Sequence, residues 1–461
     1  MLSRQEISKI DIDKLSKVHF IGILSPFSSF AVTVLLNRDV NVTASEYEQG
    51  DPKRKDWEDK GILYPGGHNA DYVTKDLDLI VYPNGPIPNN PECMRADEIG
   101  IPAITLGQMV GLISRGMKTI AVAGTHGKTT TTALITWMMK ETIGEPNFIF
   151  GNAPDYILGM NKNWNVNPDS EYLVLEACEY KRQFLDRSPV PYISVITHID
   201  LDHTDYYKDQ DDYNSAFTEF LENTTGSIVI DRSRKNEKAV LSSLRTNAKV
   251  YDASEYRRKY PEIESKTLYG EHNYENMLRT LITGISVGIE PDEALSAIAS
   301  FPGVTRRFEF VGETFRGAKV FNDYAHNPQK VEACIGGAQK AFPGKKIVLV
   351  FQPHSHERSH TFLNEFGEAI KNADVVVVPN IYTDRRETKE QIAMISGKEF
   401  VDSLESANPG KPIYYTGGME NLAEKIADID EGAGMVFVLA SAGDLPDVIP
   451  QIIEKGPEHC D

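Results

Sequence analysis

The stretch Gly124-Thr125-His126-Gly127-Lys128-Thr129-Thr130 decides how the chain is read. The apolar run Thr119-Ile120-Ala121-Val122-Ala123 leads into it, and a helical pattern over 131–140 leaves it. Strand, glycine loop and helix in that register are what a phosphate-binding loop needs. Glycines let backbone N–H groups close around phosphate oxygens, and the helix N-terminus favours an anion. Lys128 then reaches the terminal phosphates, and the Thr129 hydroxyl can ligate Mg²⁺. The early glycine of the usual G-x-x-x-x-G-K pattern is replaced by Val122. A glycine-rich turn carrying a surface lysine is the plainer alternative, and the flanking strand and helix argue against it.

The same alternation of short apolar runs and helical patterns extends over all 461 residues. It predicts an α/β protein, at roughly 150 residues per domain about three domains. In the first block Val18-His19-Phe20-Ile21-Gly22-Ile23 reads as a strand, 26–37 as a helix, and 40–44 and 77–82 as strands. The second block adds strands at 119–123, 172–175 and 193–197 and a helix after Glu271. The third has strands at 319–322, 346–351, 374–378 and 435–440. The expected divisions are 1–114, 115–303 and 304–461.

Composition narrows the class. With 48 basic against 67 acidic side chains the net charge is −19, unsuited to the counterion displacement that duplex binding requires. The apolar runs are strand-length, well short of the ~20 residues of a membrane span. The first residues alternate charge with isolated Ile and Leu, unlike a secretory signal, so a cytoplasmic protein is expected. The 4 cysteines are scattered with no Cys-x-x-Cys pair, which gives neither a zinc knuckle nor a disulfide framework.

Further polar clusters follow the apolar runs. Glu176 and Glu179 come after 173–175, and Asp200, Asp202, His203 and Asp205 after 193–197. Carboxylates at the carboxyl edge of a parallel sheet lie where ligands collect. Glu176 is therefore a candidate Mg²⁺ ligand, and the second cluster reads equally as a metal site or a polar loop. Gly270-Glu271-His272-Asn273-Tyr274-Glu275-Asn276 reads by itself as a helix cap. Arg306-Arg307-Phe308, the run Asn322-Asp323-Tyr324-Ala325-His326-Asn327-Pro328, and Gln352-Pro353-His354-Ser355-His356-Glu357-Arg358 each read singly as solvated loop charge.

Taken together and in this order, these motifs resemble those of the Mur ligases over almost the whole chain. The resemblance implies an N-terminal Rossmann-like UDP-sugar domain, a central ATPase domain and a C-terminal Rossmann-like domain. It implies ATP-dependent, Mg²⁺-assisted amide bond formation through an acyl phosphate. The catalytic residues are then Lys128, Glu176, His203 and Arg307, with Thr129, Glu176 and His203 as metal ligands. ATP would be held by Gly124, Thr125, His126, Gly127, Lys128, Thr129, Thr130, His272, Asn273, Asn276, Arg307 and Asp323. Tyr324, His354 and Arg358 would take the incoming amino acid, Arg358 pairing with its carboxylate. Gly22 and Ser25 would receive the UDP-sugar. Within the family the alternatives are a ligase adding one amino acid, one adding a tripeptide, and a nucleotide-binding relative without ligation. Phe351-Gln352-Pro353-His354 favours the first.

Two segments depart from the family pattern. The turn after the first strand, Gly22-Ile23-Leu24-Ser25-Pro26-Phe27-Ser28-Ser29-Phe30, has one glycine where relatives are glycine-rich. Leu24, Phe27 and Phe30 are expected to crowd the space over it, weakening or shifting the diphosphate pose. Ser25 and Pro26 still mark a helix start. Ser355 stands where a second basic residue is common.

Overall fold

The computed structural model describes residues 4–47, 51, 53–83, 87–151, 163–187, 190–204, 206–304, 308–384 and 387–454. Arg307 and Asp205 lie outside the described residues. The chain divides into two compact units, Met1–Glu264 with Glu275–Phe301, and Ser265–Tyr274 with Pro302–Asp461.

The first unit carries two sheets. Strands β1 (Lys17–Ile21), β2 (Asn41–Ser45), β3 (Leu79–Tyr82) and β4 (Ala103–Thr105) form a parallel sheet in the order β2-β1-β3-β4. The helix Pro26–Leu36 starts where Ser25 and Pro26 place it: Ser25 Oγ accepts from Ser28 N, and Pro26 fills a first-turn position that needs no N–H. The second sheet contains β5 (Lys118–Ala123), β6 (Asn147–Ile149), β7 (Trp164–Asn165), β8 (Tyr172–Glu176), β9 (Ile193–Ile196), β10 (Ser227–Ile230) and β11 (Lys249–Asp252). Its order is β11-β10-β9-β5-β8-β6-β7, parallel except for β6 with β7. After β5 the chain builds one side of the sheet, then crosses to the other at β9. The carboxyl end of β5 is thus the topological switch point, where open α/β sheets bind ligands.

Among the described residues the second unit has one sheet: β12 (Glu309–Glu313), β13 (Lys319–Asp323), β14 (Lys346–Gln352), β15 (Val375–Val378), β16 (Ile413–Tyr415) and β17 (Met435–Ser441). The order is β12-β13-β17-β14-β15-β16, with only β12 antiparallel to its neighbour. Alternate residues serve two cores. Phe321, Leu349, Val376 and Val438 pack on one face, Val320, Val348, Val377 and Leu439 on the other. Burial on both faces explains the unbroken apolar runs in the sequence.

The expected crowding at the first turn does not occur. Ile23, Phe27 and Phe30 are buried in the core of the first unit, and Leu24 packs against that core. The helix is buried on nearly every side, and both of its phenylalanine rings lie in the core.

Candidate functional site

Gly124 is reached at the end of β5 with φ +135°, and Gly127 caps the helix Lys128–Thr142 with φ +81°. A Cβ on Gly124 would lie 2.2 Å from Thr197 Oγ1 and 2.8 Å from the carbonyl oxygen of His198. On Gly127 it would lie 2.5 Å from Asn276 Oδ1. These two positions need glycine for both backbone conformation and space. Gly124→Ala is expected to lower stability by about 2 kcal/mol or more, because backbone atoms of His198 cannot swing aside as a side chain would. Urea unfolding checks this, and an unchanged midpoint would contradict it.

Around the loop, Thr125 donates its N–H to the His198 carbonyl at 2.7 Å and exchanges hydrogen bonds with Asp200 through its hydroxyl. This ties the loop to the segment after β9. His126 is held below its ordinary pKa by burial and by the nearby Lys128 ammonium. Thr130 is buried, and Thr131 donates to Asn276 at 3.1 Å.

Lys128 Nζ donates to the Gly124 carbonyl at 2.5 Å and pairs with Glu179 at 2.9 Å. Burial alone would lower its pKa, but the Glu179 and Glu176 carboxylates outweigh it and the lysine is held charged. Glu179 is 1% exposed. Burial would push its carboxyl up, yet a hydrogen bond from His203 and the Lys128 charge hold it below the usual range. His203 is raised chiefly by that same Glu179 contact, at 3.5 Å. Its own backbone is left-handed, φ +54°, and its N–H donates to Asp202 Oδ1 at 2.7 Å.

Two oxygen-rich positions therefore flank Lys128. At one, Thr129 donates to Glu176 Oε2 at 3.0 Å, and the same oxygen accepts from Gly151 N. At the other, Glu179, Asp202 and His203 present one ligand atom each within 4.8 Å of one another. His203 thus faces Glu179. Carboxylate and hydroxyl oxygens suit a hard divalent cation that completes its shell with water and phosphate oxygens. His198, from the same polar loop, turns away to Asp200 and Glu237.

In the second unit Asp323 ends β13 and accepts from Phe308 N at 2.7 Å. His326 donates a ring N–H to the Tyr324 carbonyl at 2.8 Å. Burial pushes its pKa down to about 4. His354 stacks on Tyr382, ring centroids 5.2 Å apart, with Nε2 3.7 Å from Asp384 Oδ2. Ser355 caps the helix His356–Thr361 from a left-handed backbone, φ +69°, accepting from Arg358 N. The first two turns of the helix Glu271–Val287 carry buried Asn273 and exposed His272, which belong to the second unit, and Asn276, which belongs to the first.

Glu179 and Asp384 received no role from sequence, and Asp202 only a share in a cluster that reads equally as a metal site or a polar loop. For Glu179 the spacing of three residues after Glu176 was the available signal. Glu179 sits in the turn just past β8, ahead of a left-handed backbone at Lys181 and Arg182 that non-glycine residues rarely adopt.

Parallel sheets with a glycine loop at the switch point, a charged lysine and two oxygen-rich positions beside it define an α/β protein of the phosphate-loop class. Residues 122–284 match the Mur ligase middle domain, and 306–445 the Mur ligase, glutamate ligase domain. The UDP-N-acetylmuramate–L-alanine ligase of Caldanaerobacter subterraneus subsp. tengcongensis is 32% identical, over 97% of this chain and 99% of its own. The protein of the same name from Agathobacter rectalis is 30% identical, over 97% and 100%. The crystal structure of UDP-N-acetylmuramate-alanine ligase from Thermotoga maritima aligns with TM-score 0.65 and 24% identity, covering 94% of this chain and 96% of that one. A murein peptide ligase from Psychrobacter arcticus aligns at 0.56 and 19%, covering 95% and 98%. The chain belongs to the Mur ligase family, with its three-domain α/β architecture.

Proposed function

We infer that this chain is an ADP-forming ligase that joins L-alanine to the carboxylate of UDP-N-acetylmuramate in peptidoglycan biosynthesis, with ATP and Mg²⁺. The observation that carries the reading is the charged Lys128 held between two carboxylate positions at the mouth of a phosphate loop. Near full-length similarity to ligases of that name supports the choice of substrates. Domain limits near 114 and 303 follow the same reading, with UDP-sugar, ATP and amino-acid roles in that order.

The chemistry starts from two anions. The sugar carboxylate attacks the γ-phosphorus of ATP, ADP leaves, and an acyl phosphate forms; the amine of alanine then attacks the carbonyl and phosphate departs. Lys128 neutralises phosphate oxygens as charge shifts to the leaving group. Bound Mg²⁺ supplies Lewis-acid neutralisation of the same oxygens. Thr129 and Glu176 are assigned to one ion, and His203, with Glu179 and Asp202 beside it, to the second. The loop 124–130 cradles the phosphates, with His272, Asn273 and Asn276 toward adenine. Arg307 and Asp323 are assigned to phosphate and ribose. Tyr324, His354 and Arg358 receive the amino acid, the guanidinium pairing with its carboxylate. Among the described residues no helix is long and apolar enough to cross a membrane. The need for ATP favours the cytoplasm, and the net charge of −19 favours small-molecule partners over nucleic acid.

Purified protein with ATP, Mg²⁺, UDP-N-acetylmuramate and single amino acids is expected to release ADP and give the L-alanyl product by mass. Product with a tripeptide and none with alanine would assign it to murein recycling. ADP release that ignores the nucleotide sugar would remove the reading.

A further inference from the structure

The turn that follows β1 already holds an anion of the chain's own. Gly22, with φ +91°, bends the backbone, and its N–H closes on the Ser45 carbonyl at the end of β2. The next residue after β2 is Glu46, which is half-buried. Its carboxylate turns back over the bend: Oε2 accepts from Ile23 N at 3.1 Å and from Leu24 N at 3.4 Å. The second oxygen, Oε1, accepts from Tyr47 N at 2.9 Å. The neighbouring polar groups are committed elsewhere. Ser25 Oγ caps Ser28 N, and Ser29 donates to the Ile23 carbonyl at 3.1 Å. The turn thus offers two adjacent backbone donors at the switch point of a parallel sheet, and one carboxylate oxygen takes both.

A phosphate oxygen recognises the same pair of N–H groups by the same chemistry, and it carries negative charge. Two anions cannot share these donors, and placed side by side they repel at short range. Since the aromatic side chains of the turn point into the core, the carboxylate is what stands in a diphosphate's way.

We propose that Glu46 is a specificity-determining residue of the nucleotide-sugar site: its carboxylate occupies the turn's anion position, and a nucleotide diphosphate binds by displacing it. This rests on the UDP-sugar reading given above. Glu46 sets a threshold that a ligand passes only if its remaining contacts compensate for expelling the internal anion. Weakly held nucleotides are rejected on that basis, and the full UDP-sugar, with its larger contact area, is accepted.

The test is calorimetric titration of UDP, and of uridine as the phosphate-free control, into full-length wild type, Glu46→Gln and Glu46→Ala. Both variants are expected to bind UDP about tenfold more tightly than wild type, alanine the more so because it leaves both donors free. Uridine affinity is expected to stay the same in all three. UDP affinity that is unchanged or lower in both variants overturns the proposal, the loss marking Glu46 as a direct ligand contact instead. If that happens in a wild type that ligates UDP-N-acetylmuramate, the proposal alone fails. If no protein binds UDP and the wild type does not ligate the nucleotide sugar, both this proposal and the substrate reading fail.

Discussion

Lys128→Ala is expected to reduce kcat for ligation about 10³-fold, roughly 4 kcal/mol of transition-state stabilisation, the scale seen when one electrostatic contact to developing charge is removed. The lysine sits at the end of its loop, bonded to Gly124 and Glu179, and its two carboxylate neighbours keep it charged. Its ammonium matters most while the γ-phosphoryl group moves between two oxygens, which is why the loss falls on turnover. Stability is expected to fall as well, by roughly 3 kcal/mol or less, because Glu179 loses the cation that faces it in a buried position. Steady-state kinetics together with urea unfolding separate the two effects. A folded variant turning over at the wild-type rate would remove Lys128 from the chemistry.

The second large effect is expected from Glu179→Gln. The substitution keeps the shape but removes the charge that faces Lys128 and His203. It also breaks up the trio with Asp202 that offers a cation one ligand atom each. Turnover is expected to drop about 10²-fold and the Mg²⁺ concentration for half-maximal rate to rise, each recoverable only in part by added metal. Glu176→Gln acts at the other position, where Thr129 donates to the carboxylate, and is expected to raise the Mg²⁺ requirement too. A Mg²⁺ titration of both variants is the measurement. If Glu179→Gln matches wild type in rate and metal demand, the second position is structural only. The acid limb gives an independent check. Glu179 is held below the ordinary carboxylate pKa, so its contribution to stability is present above that ordinary value, near 4.3, and is lost as pH falls through the lower folded value. The stability gap between wild type and Glu179→Gln should therefore close in acid.

Much of this was legible because the relevant signals are local and strong. The glycine loop, the apolar strand before it and the helix after it lie in one continuous stretch, and β5 and the helix Lys128–Thr142 form there. Likewise Ser25-Pro26 starts a helix because cap and proline act on their own turn. Several strands escaped: β4, β6, β7 and β16 have three residues or fewer, too few for a period to register, and β10, β11 and β12, of four or five residues, escaped as well. Their pairing is set by neighbours distant in sequence. The roles of Glu46 and Glu179 were hidden for a related reason. Each carboxylate meets partners distant in sequence, Glu46 the Ile23 and Leu24 N–H groups and Glu179 the Lys128 and His203 side chains, and such contacts leave no local signal. At the first turn the sequence showed two phenylalanines but not their direction. The helix Pro26–Leu36 is buried on nearly every side, and both rings lie in the core.

In the proposed reaction the chain couples ATP cleavage to amide formation through an acyl phosphate. The most direct test labels the carboxylate of UDP-N-acetylmuramate with ¹⁸O and follows the label by mass spectrometry during ligation with L-alanine. The attacking oxygen becomes bonded to phosphorus, and the C–O bond to it breaks when the amine displaces phosphate. One ¹⁸O is expected in the inorganic phosphate for each amide formed, with ADP as the other product. Amide formed with phosphate free of label would contradict it.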